Sequence, residues 1–190
     1  MVVSVNGTIN SDGVTGTATS IIFDDQLQGP VSTIDASTPD SKTVTIIGTS
    51  ILIDRLKTSF DNTDFANINV GNNLEISGYY DSSGTLIASR VELKTSSDVE
   101  VKGVISGVTG STFTLTTLNL YTIDIEYSSL TTFKDLPSGL QEGALVEVEG
   151  TFDGTNTITA AKVESEEFEL SDSDEFELEG TLPNLLILTA

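Results

Sequence analysis

The chain has 190 residues, and its 29 acidic side chains against 8 basic ones give a formal net charge of −21 at pH 7. A surface this negative repels nucleic-acid backbones and disfavours docking on anionic membranes, so the sequence predicts no nucleic-acid binding. Because no run of 18 apolar residues exists, it also predicts no membrane insertion. Cysteine and histidine are absent, which excludes disulfides, thiolate metal sites, cysteine nucleophiles and the commonest general base. We therefore expect a protein that is not an enzyme and has no catalytic residue.

The first segment, residues 1–24, is interpreted as the closing hairpin of a repeat. Val3, Val5 and Ile9 alternate with polar residues as in a half-buried strand, and Asn10–Gly13 has the composition of a tight turn. Residues 25–97 and 98–170 are interpreted as two complete repeats. Residues 171–190 are interpreted as an acidic linker followed by the opening strands of a further repeat.

The repeat is identified by two sets of glycines that recur at nearly constant spacing. The first set is Gly7, Gly78 and Gly150, and the second set is Gly29, Gly103 and Gly180. Successive members lie 71 and 72 residues apart in the first set, and 74 and 77 residues apart in the second. Self-similarity at a fixed spacing indicates tandem units, and this spacing suits a small autonomous β-barrel. We expect Gly29, Gly78, Gly103 and Gly150 to mark bulges or corners where the barrel bends.

The strands of each complete repeat are predicted from alternating apolar residues. Lys42–Asp54 predicts two strands with a turn near Gly48, and Ser111–Glu126 predicts two strands with a turn near Leu118. No helical periodicity extends beyond one turn. The expected fold is all-β, with about six strands in each complete repeat. Such short strands must close on one another to bury an apolar face, so we expect small barrels.

The alternation also predicts which side chains face the core. In the first complete repeat these are Val44, Ile46, Ile51, Ile53, Phe60, Leu74, Ile76, Leu86 and Val91. In the second they are Val104, Phe113, Leu115, Ile123, Ile125, Phe133, Val146, Val148, Ile158 and Val163.

The repeats contain several short motifs: the glycine strand Val101–Ser106, the Thr-x-Phe elements Thr58–Phe60 and Thr131–Phe133, the segments Val70–Gly78 and Glu142–Gly150, and the closing elements Ala88–Val91 and Ala160–Val163. Together these motifs resemble a bacterial family catalogued as domain of unknown function 5666. The resemblance implies small β-barrels of the OB type in tandem. With the strand count and the incomplete copies at the ends of the chain, the predicted fold is tandem small six-stranded OB-like β-barrels with partial repeats at both ends. It also implies an exported bacterial protein in the extracellular space, in the periplasm or at the cell surface, and it carries no catalytic residue.

The acidic run Glu164–Glu179 admits two interpretations. Calcium takes several carboxylate oxygens, which makes Asp172, Asp174 and Glu175 candidate metal ligands and calcium the only cofactor considered. The run lacks the glycine and the closing glutamate of a calcium-binding loop. The other interpretation is a solvated linker that is kept extended by the repulsion of its own charges.

Two further sets of residues are candidates for contact with a ligand. Arg90 and Lys162 occupy equivalent positions, where each could bind an anion or form a cross-strand ion pair with Glu75 or Glu147. Because neighbours in a strand point to opposite faces, one residue of the Tyr79-Tyr80 pair should face outward. An outward tyrosine could stack on a sugar or cover the mouth of the barrel. The other tyrosines are Tyr121 and Tyr127.

The sequence therefore predicts a non-enzymatic structural spacer or adhesion module, and a calcium- or glycan-binding module is the alternative. The partner is unknown. The terminal strands are expected to dock on the barrels, to pair with each other, or to associate with another molecule.

Overall fold

The structure, a computed structural model, describes residues 2–23, 25–166 and 175–181, with side chains described for residues 7–19 and 25–166. Within these ranges the protein is all-β and contains no helix, which confirms the predicted class. The terminal strands are β1 (Val2–Ile9), β2 (Gly16–Phe23) and β15 (Glu175–Thr181). The first unit comprises β3 (Asp25–Asp35), β4 (Ser41–Ile46), β5 (Thr49–Asp54), β6 (Ser59–Asp61), β7 (Asn73–Tyr80) and β8 (Leu86–Lys94). The second comprises β9 (Val99–Ser106), β10 (Thr112–Thr116), β11 (Thr122–Glu126), β12 (Thr132–Lys134), β13 (Leu145–Phe152) and β14 (Thr157–Ser165).

The two units share one pattern of strand pairing. In the first, β3 pairs antiparallel with β4 and β7, β4 with β5, and β7 with β8, while β5 and β6 run parallel to β8. In the second, β9 pairs antiparallel with β10 and β13, β10 with β11, and β13 with β14, while β11 and β12 run parallel to β14. The glycine spacing in the sequence therefore corresponds to a repeated strand topology in the structure.

The closing hairpin of each unit contains the predicted bulge. The register shifts between Ser77 and Gly78 in the first unit, and between Glu149 and Gly150 in the second. A Cβ atom at Gly150 would lie 2.2 Å from the carbonyl oxygen of Thr159. Because real Cβ atoms do not approach backbone oxygens so closely, only glycine fits this position.

Gly29 and Gly103 do not mark bulges against the closing hairpin, so the bulge interpretation is wrong for them. Gly29 lies opposite Leu74 in a regular stretch of the ladder, and no register shift is recorded along β9. A Cβ at Gly103 would lie 2.7 Å from the carbonyl oxygen of Thr116, and one at Gly29 would lie 2.8 Å from the side chain of Ile47. Close packing of a neighbour explains both glycines.

The predicted core is largely confirmed, with three corrections. Val104 is 39% exposed, because Gly103 and Ile105 hold the inward positions on β9. Phe133 is 41% exposed, and its ring packs edge-on against Tyr127 at a centroid distance of 5.7 Å. Phe60 is half-buried. The other predicted residues are buried.

A buried hydrogen bond connects two of the sequence motifs. The hydroxyl of Thr58 donates to the carbonyl oxygen of Ala88 at 2.9 Å, and the hydroxyl of Thr131 donates to that of Ala160 at 2.8 Å. The Thr-x-Phe element is thereby attached to the closing strand in both units. The threonine of this motif therefore has a structural role, because a buried hydroxyl requires a hydrogen-bond partner.

The two predicted hairpin turns are present but differ in length. Ile47 and Gly48 both have positive φ, 44° and 70°, as in a two-residue hairpin turn of type I′. The turn of the second unit is longer and is closed by the Thr117 backbone N–H donating to the carbonyl oxygen of Tyr121 at 2.9 Å.

The two units join through their first strands. β3 and β9 pair antiparallel, with Leu27 opposite Val101 and Gln28 opposite Glu100. Leu27 and Val101 each lie two residues before the glycine of their strand, so equivalent positions face each other across an approximate two-fold axis. The amide of Gln28 also donates to the carbonyl oxygen of Asp98 at 2.6 Å, in the connection between the units.

The terminal strands form a separate three-stranded sheet in the order β15-β1-β2. Of the alternatives considered for the ends of the chain, the described residues show the terminal strands pairing with each other. No helix in the described part of the chain is long and apolar enough to cross a membrane.

Candidate functional site

The candidate calcium ligands lie outside the two complete units. Asp172 and Asp174 lie outside the described residues, and Glu175 is described only through its backbone, as the first residue of β15. Among the described residues, no group of three or more acidic side chains is arranged to hold a metal ion.

Arg90 is the centre of an ion-pair cluster on the first unit. Its guanidinium donates to Asp61 at 2.7 Å, to Glu75 at 3.0 Å and to Glu92 at 2.7 Å. The contact with Glu75 confirms the predicted cross-strand ion pair. The pair is largely shielded from water, because the Arg90 and Glu75 side chains are only 11% and 15% exposed. The hydrogen bond from Arg90 lowers the pKa of Glu92. The cation is therefore engaged in holding the sheet together.

Lys162 occupies the equivalent position on the second unit. Its ammonium lies 3.3 Å from Glu147, 3.3 Å from Glu149 and 3.1 Å from Glu164. The predicted pair with Glu147 is therefore also present. Burial opposes the charged form of Lys162, but these carboxylates outweigh it and raise its pKa. Both repeated cations have structural partners.

A cluster of carboxyl groups at the junction was not predicted. Burial raises the pKa of Glu100 to about 10, and hydrogen bonding to Asp25, together with the charges of Asp25 and Glu147, acts in the same direction. Burial and the neighbouring carboxyl groups therefore favour the protonated form of Glu100. Its position in an alternating strand is typical of a solvated side chain. In the structure Glu100 lies between Gln28 of β3 and Glu149 of β13, and local sequence carries no signal for the pairing of β9 with β3.

Replacing Glu100 with glutamine should stabilise the protein at alkaline pH. Between pH 4.5 and about 10, folded Glu100 holds a proton that the unfolded chain releases, so folding stability falls as pH rises. Glutamine mimics the protonated acid and removes this dependence. We expect the free energy of unfolding at pH 8 to rise, measured by urea denaturation. Glu126→Gln at the exposed end of β11 is the control, and equal effects of the two substitutions would contradict the prediction.

The tyrosines divide between surface and packing roles. Tyr79 is 48% exposed, whereas Tyr80 is half-buried and its pKa is raised by burial. One outward tyrosine in the pair was predicted, and this is confirmed. Tyr121 packs between the units, because its ring occupies the space beside Gly48, where a Cβ would meet Tyr121 Cδ2 at 2.5 Å. Tyr121 is therefore an inter-unit contact.

A groove of about 750 Å³ lies along the connection between the units. Residues of both units line it, and no Asp or Glu is among its lining residues in the described part of the chain. The lining includes Asn62, Asn72, Asn73, Lys94, Ser96 and Phe152. In a protein with 29 acidic residues, this surface is unusual because Lys94 is the one charged residue in its described lining, which combines apolar side chains with amide and hydroxyl groups.

Asn73 fixes one wall of this groove. Its amide nitrogen donates to the carbonyl oxygens of Ser96 at 2.8 Å and Asp98 at 2.9 Å. Its side-chain oxygen is buried and has no hydrogen-bond partner. A buried acceptor without a partner is uncommon and calls for a donor.

Comparison with known proteins is consistent with this architecture. Among curated proteins, none matches the chain. One family model matches twice, over residues 28–92 and 102–164, which together cover most of the chain and coincide with the two units. The chain therefore belongs to the family described as Domain of unknown function (DUF5666), of which it contains two consecutive copies.

Proposed function

We propose that this chain is a non-enzymatic tandem β-barrel segment of an exported bacterial protein, acting as a structural spacer or adhesion module. The strand partners support a closed barrel of the OB type in each unit. From β3 they run through β4, β5, β8 and β7 and return to β3. The short strand β6 follows β5 along the same edge of β8. Export rests on the Ser/Thr-rich acidic composition and on what the family resemblance implies.

The observation that carries the spacer proposal is the connection between the units. They share the β3–β9 ladder, the Tyr121 ring lies against the Gly48 turn, and Asn73 and Gln28 bind the connecting segment. A ladder together with side-chain hydrogen bonds to the connecting segment resists bending more than a free linker does. A stiff connection is what a spacer requires.

Single-molecule pulling from the two ends tests this role. A spacer should resist force and give two unfolding events, each adding about 25 nm of chain, the length expected for roughly 70 residues. A gradual extension without separate events would contradict the proposal.

The cellular location has its own test. In the source bacterium, an antibody against the second unit should label intact cells, or cells whose outer membrane has been opened. Labelling that appears only after the cytoplasm is released would contradict export.

The groove favours glycan binding as the second candidate function. Amide and hydroxyl groups match the hydroxyls of a sugar, and a half-buried aromatic ring such as Phe152 offers a flat apolar surface. The scarcity of acidic groups permits neutral or anionic glycans.

A glycan array followed by titration calorimetry tests this function. Phe152→Ala should weaken binding by about tenfold, or about 1.4 kcal/mol, while Tyr79→Ala, an exposed aromatic elsewhere, should leave it unchanged. Absence of binding across neutral and anionic glycans would contradict it. Calcium, the other ligand of this alternative, is tested by the melting temperature, because a ligand that binds only the folded state raises it.

A further inference from the structure

The terminal sheet reproduces the strand register of a complete unit. In β15, Leu178, Glu179 and Gly180 lie opposite Val5, Ser4 and Val3. In the second unit, Val101, Lys102 and Gly103 lie opposite Val148, Glu147 and Val146. In the first unit, Leu27, Gln28 and Gly29 lie opposite Ile76, Glu75 and Leu74. In all three, the glycine of the first strand faces the residue four positions before the glycine of the hairpin.

The shared register indicates that the β1–β2 hairpin can pair with a first strand that does not directly precede it in the chain. In both complete units the first strand precedes its hairpin in the chain. In the terminal sheet the same place is occupied by β15, which follows the hairpin by about 150 residues. The hairpin therefore accepts a first strand without being joined directly to it, as in recognition by strand addition, where backbone hydrogen bonds supply the affinity.

We propose that the β1–β2 hairpin also binds β15 of a second copy of this chain, in the same register, so that molecules assemble head to tail. The donor strand and the acceptor hairpin are different surfaces, and such contacts generate rings or open chains. Pairing within one molecule is the competing arrangement, and the effective concentration of a tethered segment is in the millimolar range. Exchange between molecules should therefore increase as the protein approaches that concentration.

The charges of the two partners predict how salt affects the exchange. Asp12 is the only charged residue of the hairpin segment 2–23, whereas β15 carries Glu175, Glu177 and Glu179. Direct repulsion between these partners is small. The net charge of −21 opposes the approach of two whole molecules, and salt screens that repulsion. Added salt should therefore promote exchange.

Disulfide trapping tests the proposal, since the native chain has no cysteine. A Ser4→Cys variant is mixed with an isotopically labelled Glu179→Cys variant under mild oxidation, at concentrations from about 10 µM to about 1 mM. Directly opposed Cα atoms in antiparallel strands are close enough for a disulfide. The control mixture pairs Ser4→Cys with Glu175→Cys, because Glu175 lies opposite Thr8, four residues away. We expect the matched mixture to give several times more mixed dimer than the control, with a yield that rises with protein and salt concentration.

A double variant, Ser4→Cys with Glu179→Cys in one chain, separates the two ways of failing. If this chain closes into a crosslinked monomer but the matched mixture never exceeds its control, the strands pair only within a molecule and exchange is wrong. If neither forms a crosslink, the register itself is wrong. Both results are independent of whether the complete units act as a spacer.

Discussion

Replacing Gly150 with alanine should severely destabilise the second unit. The new Cβ would lie 2.2 Å from the carbonyl oxygen of Thr159 and 3.0 Å from the Cα of Ala160, so the obstacle is backbone and cannot rotate away. The hairpin must separate, which strains the ladder that carries Glu147 and Val148. We expect a loss of about 3 kcal/mol, the upper end of the range for overpacking, or roughly 10 °C or more in Tm, measured by differential scanning calorimetry.

Gly110→Ala is the matched control within the same unit. No atom lies within 4 Å of the position of its Cβ, and its φ is not in the left-handed region. Gly78→Ala should reproduce the loss in the first unit, because its Cβ would lie 2.3 Å from the carbonyl oxygen of Ile87. Equal stability of the Gly150 and Gly110 variants would show that the hairpin can open at the bulge without cost.

Arg90→Met should destabilise the first unit by about 3 kcal/mol, the lower end of the range for removing one partner of a buried ion pair. Methionine keeps much of the side-chain volume, so the loss measures the charge. Among the described residues, Lys94 would be the one cationic partner left to Glu75 and Glu92, which are 15% and 21% exposed. Urea denaturation at pH 7 measures the effect. Arg55→Met, which removes an exposed pair with Asp40, should cost less than about 1 kcal/mol.

The Arg90 cluster also predicts a change in the pH dependence of stability. Arg90 holds the pKa of Glu92 below its ordinary value of 4.5. A depressed carboxyl pKa contributes stability above pH 4.5, and that stability is lost as pH falls through the lower, folded value. The native protein should therefore lose stability below pH 4.5. Arg90→Met should flatten this part of the profile, and an unchanged slope would assign the acid sensitivity to other carboxyl groups.

Local sequence predicted the parts of the fold that depend on local alternation. In β10 and β11, Phe113, Leu115, Ile123 and Ile125 alternate with polar residues and are buried as expected. The same reasoning failed at Val104, because Gly103 occupies the inward position and has no side chain to count. A period-two pattern shows which face is apolar, and it does not identify a glycine that fills the core by letting a neighbour approach.

The junction between the units could not be predicted in this way. Glu100 and Tyr121 look like solvated residues in their own segments, and both lie at the junction only because the two units meet there. The unpartnered oxygen of Asn73 likewise depends on the connection at Ser96 and Asp98. Contacts between units are set by the shapes of two folded bodies, whereas propensity and periodicity act within a few residues.

The two-fold relation between β3 and β9 limits how an array of these units can grow. A contact that brings the same position of each unit face to face is used up by a single pair. Once Leu27 and Val101 are opposed, neither strand can offer that edge to a third unit. Units joined by this contact therefore occur in pairs. Removing one unit of a pair would leave the edge of its partner open, whereas removing both units of a pair would leave every remaining edge of this kind covered.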